Sequence, residues 1–186
     1  MKQLKVKTAF IKKIKPDVFL LGLDSNYLAK AAKPGQFLHI KVDDKTTILR
    51  RPLSIHKIKK NLIYVLFRVR GRGTKLLSKC KKGDIFDVIG PLGNGFKISP
   101  QSTVHRQQTN IFLAGGMGVA PLVFLGEKLA EIKNQKSKIK NVVLLGAKNK
   151  KEILAEGEFK KLGFEIHIAT DDGSRGFKGN VTSLLK

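Results

Sequence analysis

The chain has 186 residues, 41% of them hydrophobic and 27% charged, which fits one large or two small domains with packed cores and excludes wholesale disorder. No apolar run reaches the roughly 20 residues of a membrane-spanning helix, and the start at Met1–Lys5 leads into a charged, alternating segment unlike a secretory signal. The single cysteine, Cys80, excludes an internal disulfide and any iron–sulfur cluster ligated by this chain's thiolates alone, and the expected compartment is cytoplasmic.

Thirty-seven Lys and Arg against 14 Asp and Glu give a net charge of +23. Residues 1–100 hold 23 basic and 6 acidic side chains, so most of the excess lies there. Such a field favours anionic partners. The lysines are dispersed, however, and the basic runs are pairs such as Lys12-Lys13 and Lys81-Lys82. With no zinc-finger spacing and no RNP-type aromatic motif, the reading is a solvated lysine-rich surface, without nucleic acid or membrane as partner. A nucleic-acid module is the competing class, and strongly salt-dependent duplex binding would mark it.

The first half reads as strands. Leu4–Val6 and Ala9–Ile11 belong to an alternating stretch, followed by Val18–Leu23, Phe37–Val42, Thr47–Leu49, Leu53–Ile55, Leu62–Val69 and Ile85–Ile89. Short strands with turn signals at this spacing predict a small antiparallel β-barrel. One helix, Thr74 to about Lys79, interrupts it, with Leu76, Leu77 and Cys80 on its buried face and Thr74 placed to cap it. The polar stretch Ser99–Gln108 reads as the join between an N-terminal domain at 1–98 and a second domain at 109–186. There the period changes: strand Asn110–Ala114, helix Val119–Lys133, strand Val142–Leu145, helix Asn149–Lys161, strand Glu165–Ala169. Strand–helix alternation predicts an α/β unit with a parallel sheet.

Several segments carry chemical potential. Arg51-Pro52-Leu53-Ser54 presents an Arg fork suited to phosphate and, three residues on, a hydroxyl small enough for a ring edge, although an exposed edge strand would look the same. Gly71-Arg72-Gly73-Thr74 lets backbone approach a ligand at a helix start, beside Arg68 and Arg70, and is equally a glycine turn with a cap. Gly90–Phe96 reads as a tight connector or a surface on which a planar ring rests. Gly115-Gly116-Met117-Gly118, between strand and helix with Pro121 where the third glycine of G-x-G-x-x-G would stand, suits a nucleotide by a different rule. Thr170-Asp171-Asp172-Gly173-Ser174 follows the third parallel strand, at the ligand-binding end of such sheets, and is otherwise a plain Asp-Gly turn. The four histidines, at 39, 56, 105 and 167, lack metal-ligand spacing, and His39 and His167 read as packed strand residues. No nucleophile–base set is evident, which fits chemistry done by a cofactor.

In this order the strings Pro34-Gly35-Gln36-Phe37, Arg51–Ser54, Gly71–Thr74, Gly90-Pro91-Leu92-Gly93-Asn94-Gly95-Phe96, Gly115–Leu122 and Thr170–Ser174 resemble the ferredoxin–NAD(P) reductase superfamily. Within it the chain is most similar to the electron-transfer subunit of the two-subunit, NAD-linked (type B) dihydroorotate dehydrogenase. The resemblance implies an FAD-binding barrel followed by an NAD-binding α/β domain. It implies that Arg51, Pro52, Leu53 and Ser54 meet the flavin, that Leu66, Phe67 and Arg68 line it, and that Gly73 and Thr74 hold its phosphates. Gly115, Gly116, Gly118, Thr170 and Asp171 would face NAD, and no residue of the chain acts as a catalytic acid or base.

The implied role is relay of electrons from dihydroorotate oxidation, in a catalytic partner subunit, through FAD to NAD, within a heterotetramer of two subunits each and in pyrimidine biosynthesis. Family members carry a [2Fe–2S] cluster on four cysteines of a C-terminal extension. This chain ends at Lys186 with one cysteine, so the expectation is a nucleotide domain cut short and no cluster ligands. An NAD(P)H–ferredoxin or sulfide reductase subunit and a non-catalytic flavin-binding subunit are the alternatives.

Overall fold

The computed structural model describes residues 1–42, 49–98, 109–132 and 139–185. The chain divides into two compact units, Met1–Phe96 and Lys97–Lys186. In the first, β1 (Lys2–Lys15), β2 (Val18–Asp24), β3 (Phe37–Lys41), β4 (Arg51–Lys59), β5 (Leu62–Arg68) and β6 (Ile85–Leu92) are joined with two short helices, α1 (Asn26–Ala31) and α2 (Arg72–Leu77). The strands close into a barrel in the order β1-β2-β5-β4-β3-β6, every pair antiparallel.

The period-2 alternation of these strands puts one set of side chains inside the barrel. Val6, Leu21, Leu38, Ile55, Val65 and Val88 are at most 1% exposed. Each such side chain is worth about 1.5–3 kcal/mol of burial. Leu28 of α1 and Leu77 of α2 are also fully buried. Ser25 starts α1, its Oγ accepting from the Leu28 N–H at 3.3 Å.

In the second unit, β7 (Thr109–Gly115) runs through a 3-10 turn, Gly116–Val119, into α3 (Ala120–Ile132). Then follow β8 (Lys140–Ala147), α4 (Glu156–Lys161), β9 (Glu165–Thr170) and β10 (Phe177–Lys178). The sheet order is β10-β9-β8-β7, all parallel. On one face, Phe112 of β7 meets Phe159 and Phe164 edge-on, with ring centroids 6.0 and 5.1 Å away. On the other, Val142, Leu144 and Ala169 pack with Val181 and Leu184 of a C-terminal 3-10 turn, Val181–Leu185. No helix among the described residues is long and apolar enough to cross a membrane.

The structure departs from the sequence reading at several points. The alternating stretch that holds Leu4–Val6 and Ala9–Ile11 forms the single strand β1, whose residues Lys2–Lys7 pair with β6 and Lys7–Lys15 with β2, a register shift falling between Thr8 and Phe10 in the latter pairing. α1 was not expected: its six residues are too few to show a helical period. Leu49 lies in a bend, not a strand, and positions 47 and 48 fall outside the described residues, as do His105 and the Ser99–Gln108 join. α2 starts at Arg72, with Leu77 buried while Leu76 and Cys80 are half-buried. The helix expected over Asn149–Lys161 is broken into a 3-10 turn, Lys150–Glu152, and α4. Ile153 and Leu154 are drawn into the core between them, and Ala155 takes a left-handed φ of 58°. His167 is not packed: its side chain is 48% exposed and its Nε2 lies 2.7 Å from Glu165 Oε1. His39 is half-buried, its ring 5.4 Å from that of Phe37.

Candidate functional site

One end of the barrel gathers most of the residues singled out in the first unit. Ile55 of β4 pairs with Val65 of β5 in antiparallel register. The residues before Ile55, Arg51–Ser54, therefore share an end with those after Val65, Leu66–Arg68. α2 begins just beyond Arg68, at Arg72. The closest tie is between Arg51 and Gly73. A Cβ on Gly73 would overlap Arg51 Nε and lie 2.8 Å from its Cζ, so the guanidinium lies directly across the first turn of the helix. Only glycine leaves room for it there.

The neighbouring arginines have other duties. Arg50 Nη2 lies 2.7 Å from Asp87 Oδ1, and its Nη1 donates to the Asp87 carbonyl at 2.8 Å. Gln3 Nε2 donates to both Asp87 oxygens at 3.0 and 2.8 Å. The Gln3 amide, and then Arg50, hold the Asp87 carboxyl below the usual carboxylate range. Arg68 Nε lies 3.2 Å from Asp17 Oδ2, across the β1–β2 turn. Of Arg50, Arg51 and Arg68, Arg51 alone is laid over the helix start.

The helix start itself is fixed by Thr74. Its Oγ1 accepts from the N–H groups of Arg70 and Gly71 at 3.0 and 3.3 Å and donates to the Gly71 carbonyl at 3.1 Å. Gly71 is the N-cap and Thr74 caps from inside the first turn, a correction to its expected place as the first residue of the helix. The first N–H groups of a helix have no intrahelical acceptor. Here they lie beside the Arg51 guanidinium. Leu66 and Phe67 are 6% and 2% exposed, Phe67 stacking on Phe19 at 5.9 Å. Their side chains serve the barrel, and what they offer outward is backbone. Pro52 is exposed, whereas Leu53 and Ser54 are half-buried.

Two further strings prove to be one knot. Gln36 Nε2 donates to the Gly93 carbonyl at 2.8 Å, and Phe96 N donates to the Pro34 carbonyl at 2.8 Å. Gly35 (φ 91°) and Gly93 (φ 78°) need left-handed backbone, and a Cβ at either would crowd Phe96 or Phe37 at 2.9 Å. Gln36, part of the Pro34–Phe37 string but given no role of its own there, also accepts from Lys33 N through Oε1 at 2.8 Å. Asp17, the partner of Arg68, was missed; a partner 51 positions away leaves no local signal.

In the second unit the register brings the carboxyl ends of three strands together. Gly115 pairs with Gly146, Gly146 with Ala169, and Ala147 with Thr170. The glycine turn and the Thr170–Asp171 segment therefore stand about two strand spacings apart, roughly 10 Å, on one edge. A Cβ at Gly115, Gly116 or Gly118 would meet nothing within 4 Å. Thr170 is fully buried, its Oγ1 accepting from Arg175 N at 3.0 Å and donating to the Arg175 carbonyl at 2.9 Å. It shapes the loop rather than presenting a hydroxyl. Asp171 is exposed, with its N–H donated to the Ala147 carbonyl at 3.1 Å. Asp172 accepts from Ser174 N at 2.9 Å, and the Ser174 hydrogen bonds lower its carboxyl from the ordinary value.

Among the described residues no group of three His, Cys, Asp or Glu is placed to hold a metal ion. Cys80 is half-buried, and burial, then Asp84, pushes its thiol up to about 11.

Comparison with known proteins agrees with this arrangement. No family model matches the chain. The dihydroorotate dehydrogenase B (NAD(+)) electron transfer subunit of Desulforamulus reducens is 44% identical over 177 residues, covering 93% of this chain and 63% of the relative. The protein of that name from Lysinibacillus sphaericus is 38% identical over 189 residues, covering 100% of this chain and 70% of the relative. This chain thus spans under two thirds of the length of the Desulforamulus relative. Among solved structures, an NADH-dependent reduced ferredoxin-NADP oxidoreductase described for flavin-based electron bifurcation matches with a TM-score of 0.81 at 30% identity, over 99% of this chain and 63% of that one. The cytochrome b5 reductase domain of Ulva prolifera nitrate reductase shares the fold, with a TM-score of 0.75 at 17% identity over 96% of this chain and 78% of that one. A closed antiparallel barrel, a parallel α/β unit and relatives at this identity lead to one conclusion: the chain belongs to the family of the dihydroorotate dehydrogenase B (NAD(+)) electron transfer subunit.

Proposed function

We propose that the chain is a flavin-carrying electron-transfer subunit. Residues 1–98 take FAD, and residues 109–186 take NAD. The observation that carries this reading is the cradle at α2, where Gly73 has given up its Cβ to the Arg51 guanidinium. A pyrophosphate laid there meets a bidentate fork and the first N–H groups of the helix together. Ser54 and the β4 and β5 backbones border the flavin ring, and Arg68 lines it while its charge is matched by Asp17. Bound FAD supplies hydride and single-electron chemistry. The chain's own part is to hold the phosphates, orient the ring and leave the nicotinamide room at Gly115, Gly116 and Gly118, with Thr170 and Asp171 bordering the nucleotide.

The electrons come from dihydroorotate oxidation in a catalytic partner subunit and leave for NAD, in a cytoplasmic heterotetramer of two subunits each. The relatives' names support this reading. A [2Fe–2S] cluster requires four ligands, in most cases all thiolates. Cys80 is the one cysteine of this chain and its thiol is held protonated by burial, so the residues present do not fit that group.

The test is an absorption spectrum of the purified chain followed by anaerobic titration with NADH. Flavin bands are expected, with slow or absent bleaching by NADH. A colourless chain that takes up no added FAD overturns the reading.

A further inference from the structure

The barrel carries a cavity that the flavin reading leaves unused. It measures about 410 Å³ and lies where the segment after α2 meets the first residues of β6. Of the described residues that line it, none is assigned to FAD.

Its lining has two chemical halves. Leu76, Ile85, Phe86 and the Cys80 side chain supply an apolar wall. Ile85 is 65% exposed although it opens a barrel strand, so apolar surface faces water here. The Cys80 thiol, held protonated by burial and then by Asp84, stays neutral and polarizable. The other half is cationic: Lys5, Lys41 and Lys79.

Strand register sets the cationic half. Asp87 of β6 is the cross-strand partner of Lys5 on β1 and of Lys41 on β3. The three residues therefore stand in one row, with the lysines two strand spacings, or roughly 10 Å, apart. Asp87 does not consume Lys5. Its oxygens already accept from Gln3 at 3.0 and 2.8 Å, and Arg50 Nη2 lies 2.7 Å from Oδ1. Lys5 Nζ is farther off, at 3.5 Å, on a side chain 72% exposed. So exposed a pair holds weakly, and Lys5 turns to a second anion at little cost. Asp84, the other carboxylate of the lining, is engaged by its own loop, its Oδ2 accepting from Lys81 N at 2.8 Å.

We infer that this cavity is a binding site for a small amphipathic anion, with an apolar body seated against Leu76, Ile85 and Phe86 and one carboxylate, sulfonate or phosphate head held by Lys5, Lys41 and Lys79. A volume of about 410 Å³ falls within the roughly 300–1,000 Å³ of small-molecule pockets. Inorganic phosphate would leave the apolar wall wet, and a neutral hydrocarbon would leave the lysines without a counter-charge; each satisfies one half alone. The inference goes beyond the flavin and NAD reading and does not depend on it.

Octanoate is the probe and octan-1-ol its neutral control. Amide shifts of the 186-residue chain, with FAD added to occupy the flavin-binding groups, are followed by NMR during titration with each. Octanoate should shift the amides of Leu76, Cys80, Ile85 and Phe86 together. Its Kd should be about 1 mM or below, as expected for about ten heavy atoms. It should bind more tightly than octan-1-ol, whereas a bare apolar patch would prefer the alcohol. Lys79→Glu, a change at an exposed position, should weaken octanoate by about fivefold or more and leave octan-1-ol unchanged, and about 0.5 M salt should act in the same direction. Leu76→Trp should abolish binding of both by filling the cavity; if that variant does not fold, Lys79→Glu decides. Octan-1-ol binding as tightly as octanoate, octanoate affinity unchanged in Lys79→Glu, or no octanoate shift at these four amides overturns the inference.

Discussion

At the turn before α2, a Cβ on Gly73 would run into the Arg51 guanidinium; at the turn after β7, a Cβ on Gly115, Gly116 or Gly118 would touch nothing within 4 Å. The two glycine turns look alike in sequence and serve different ends. Gly73 makes room for another part of the same chain, so its site is organised before any ligand arrives. Gly115–Gly118 keep space empty that the chain itself does not use. In the barrel, Arg51 already lies over the helix start and Thr74 already holds the cap. In the sheet, β7 pairs with β8 alone among the described residues.

The contrast is tested first where the barrel has most to lose. Arg51→Ala should weaken FAD binding by roughly 1.5–3 kcal/mol, the worth of a hydrogen bond to a charged group, or about ten- to hundredfold in Kd. Gly73→Ala should weaken it less, by displacing the guanidinium rather than removing it. In the double variant the second change should add little, because both act on one contact. Flavin titration of the four proteins checks this. Additive losses would show that Gly73 and Arg51 act separately, and the idea of a cradle prepared by the chain would fail.

In the sheet the opposite pattern is expected. Gly115 has φ −98°, which any residue adopts, and open space around it. Gly115→Val should leave thermal stability within about 0.5 kcal/mol, as for a surface change. It should weaken NADH by about tenfold, as a side chain enters the nicotinamide's space. A large fall in Tm with unchanged NADH affinity would mean that this glycine, too, is kept for packing. Gly116→Ala tests less cleanly, since its φ of 52° adds backbone strain whatever the ligand does.

Much of this was legible in the residues and some was not, for physical reasons. Short apolar strands such as Val18–Leu23 and Leu62–Val69, set off by turn signals, pointed to the barrel. The α/β change of period after residue 109 was equally plain. The proximity of Arg51 and Gly73 was not, since closing a barrel brings together residues that share no local pattern. The resemblance of the motifs named both residues without showing that they touch. Arg50 and Arg51 are indistinguishable as neighbours in sequence; Asp87, 37 positions from Arg50, decides which is bound inward. The break between Ile153 and α4 was hidden by good helix formers, which the core overrides by taking in Ile153 and Leu154. That β7 pairs with β8 alone among the described residues cannot be read locally, because strand order is a property of the whole sheet.

The smallest expected effect on flavin binding separates the arginine held by Asp87 from the one proposed to bind FAD. Arg50 and Asp87 are 20% and 16% exposed in their side chains, and Gln3 and Arg50 together give the Asp87 carboxyl several donors. Asp87→Asn should cost stability of the order of 1–3 kcal/mol at neutral pH, by leaving Arg50 without its charge partner. Flavin affinity should hold, since Arg51 keeps its place. The pH dependence has a defined sign. The folded carboxyl titrates below its ordinary value of 3.8, its Gln3 hydrogen bonds and then Arg50 favouring the ionised form. Its contribution is therefore complete above about pH 4–5 and lost as pH falls through the lower folded value. The stability gap between the native chain and Asp87→Asn should stay constant from pH 7 to 5 and narrow towards pH 3 and below. Denaturant midpoints across that range supply the measurement. A gap that stays open in acid would place the Asp87 effect in packing rather than charge, and a loss of flavin in Asp87→Asn would tie Arg50 to the binding end after all.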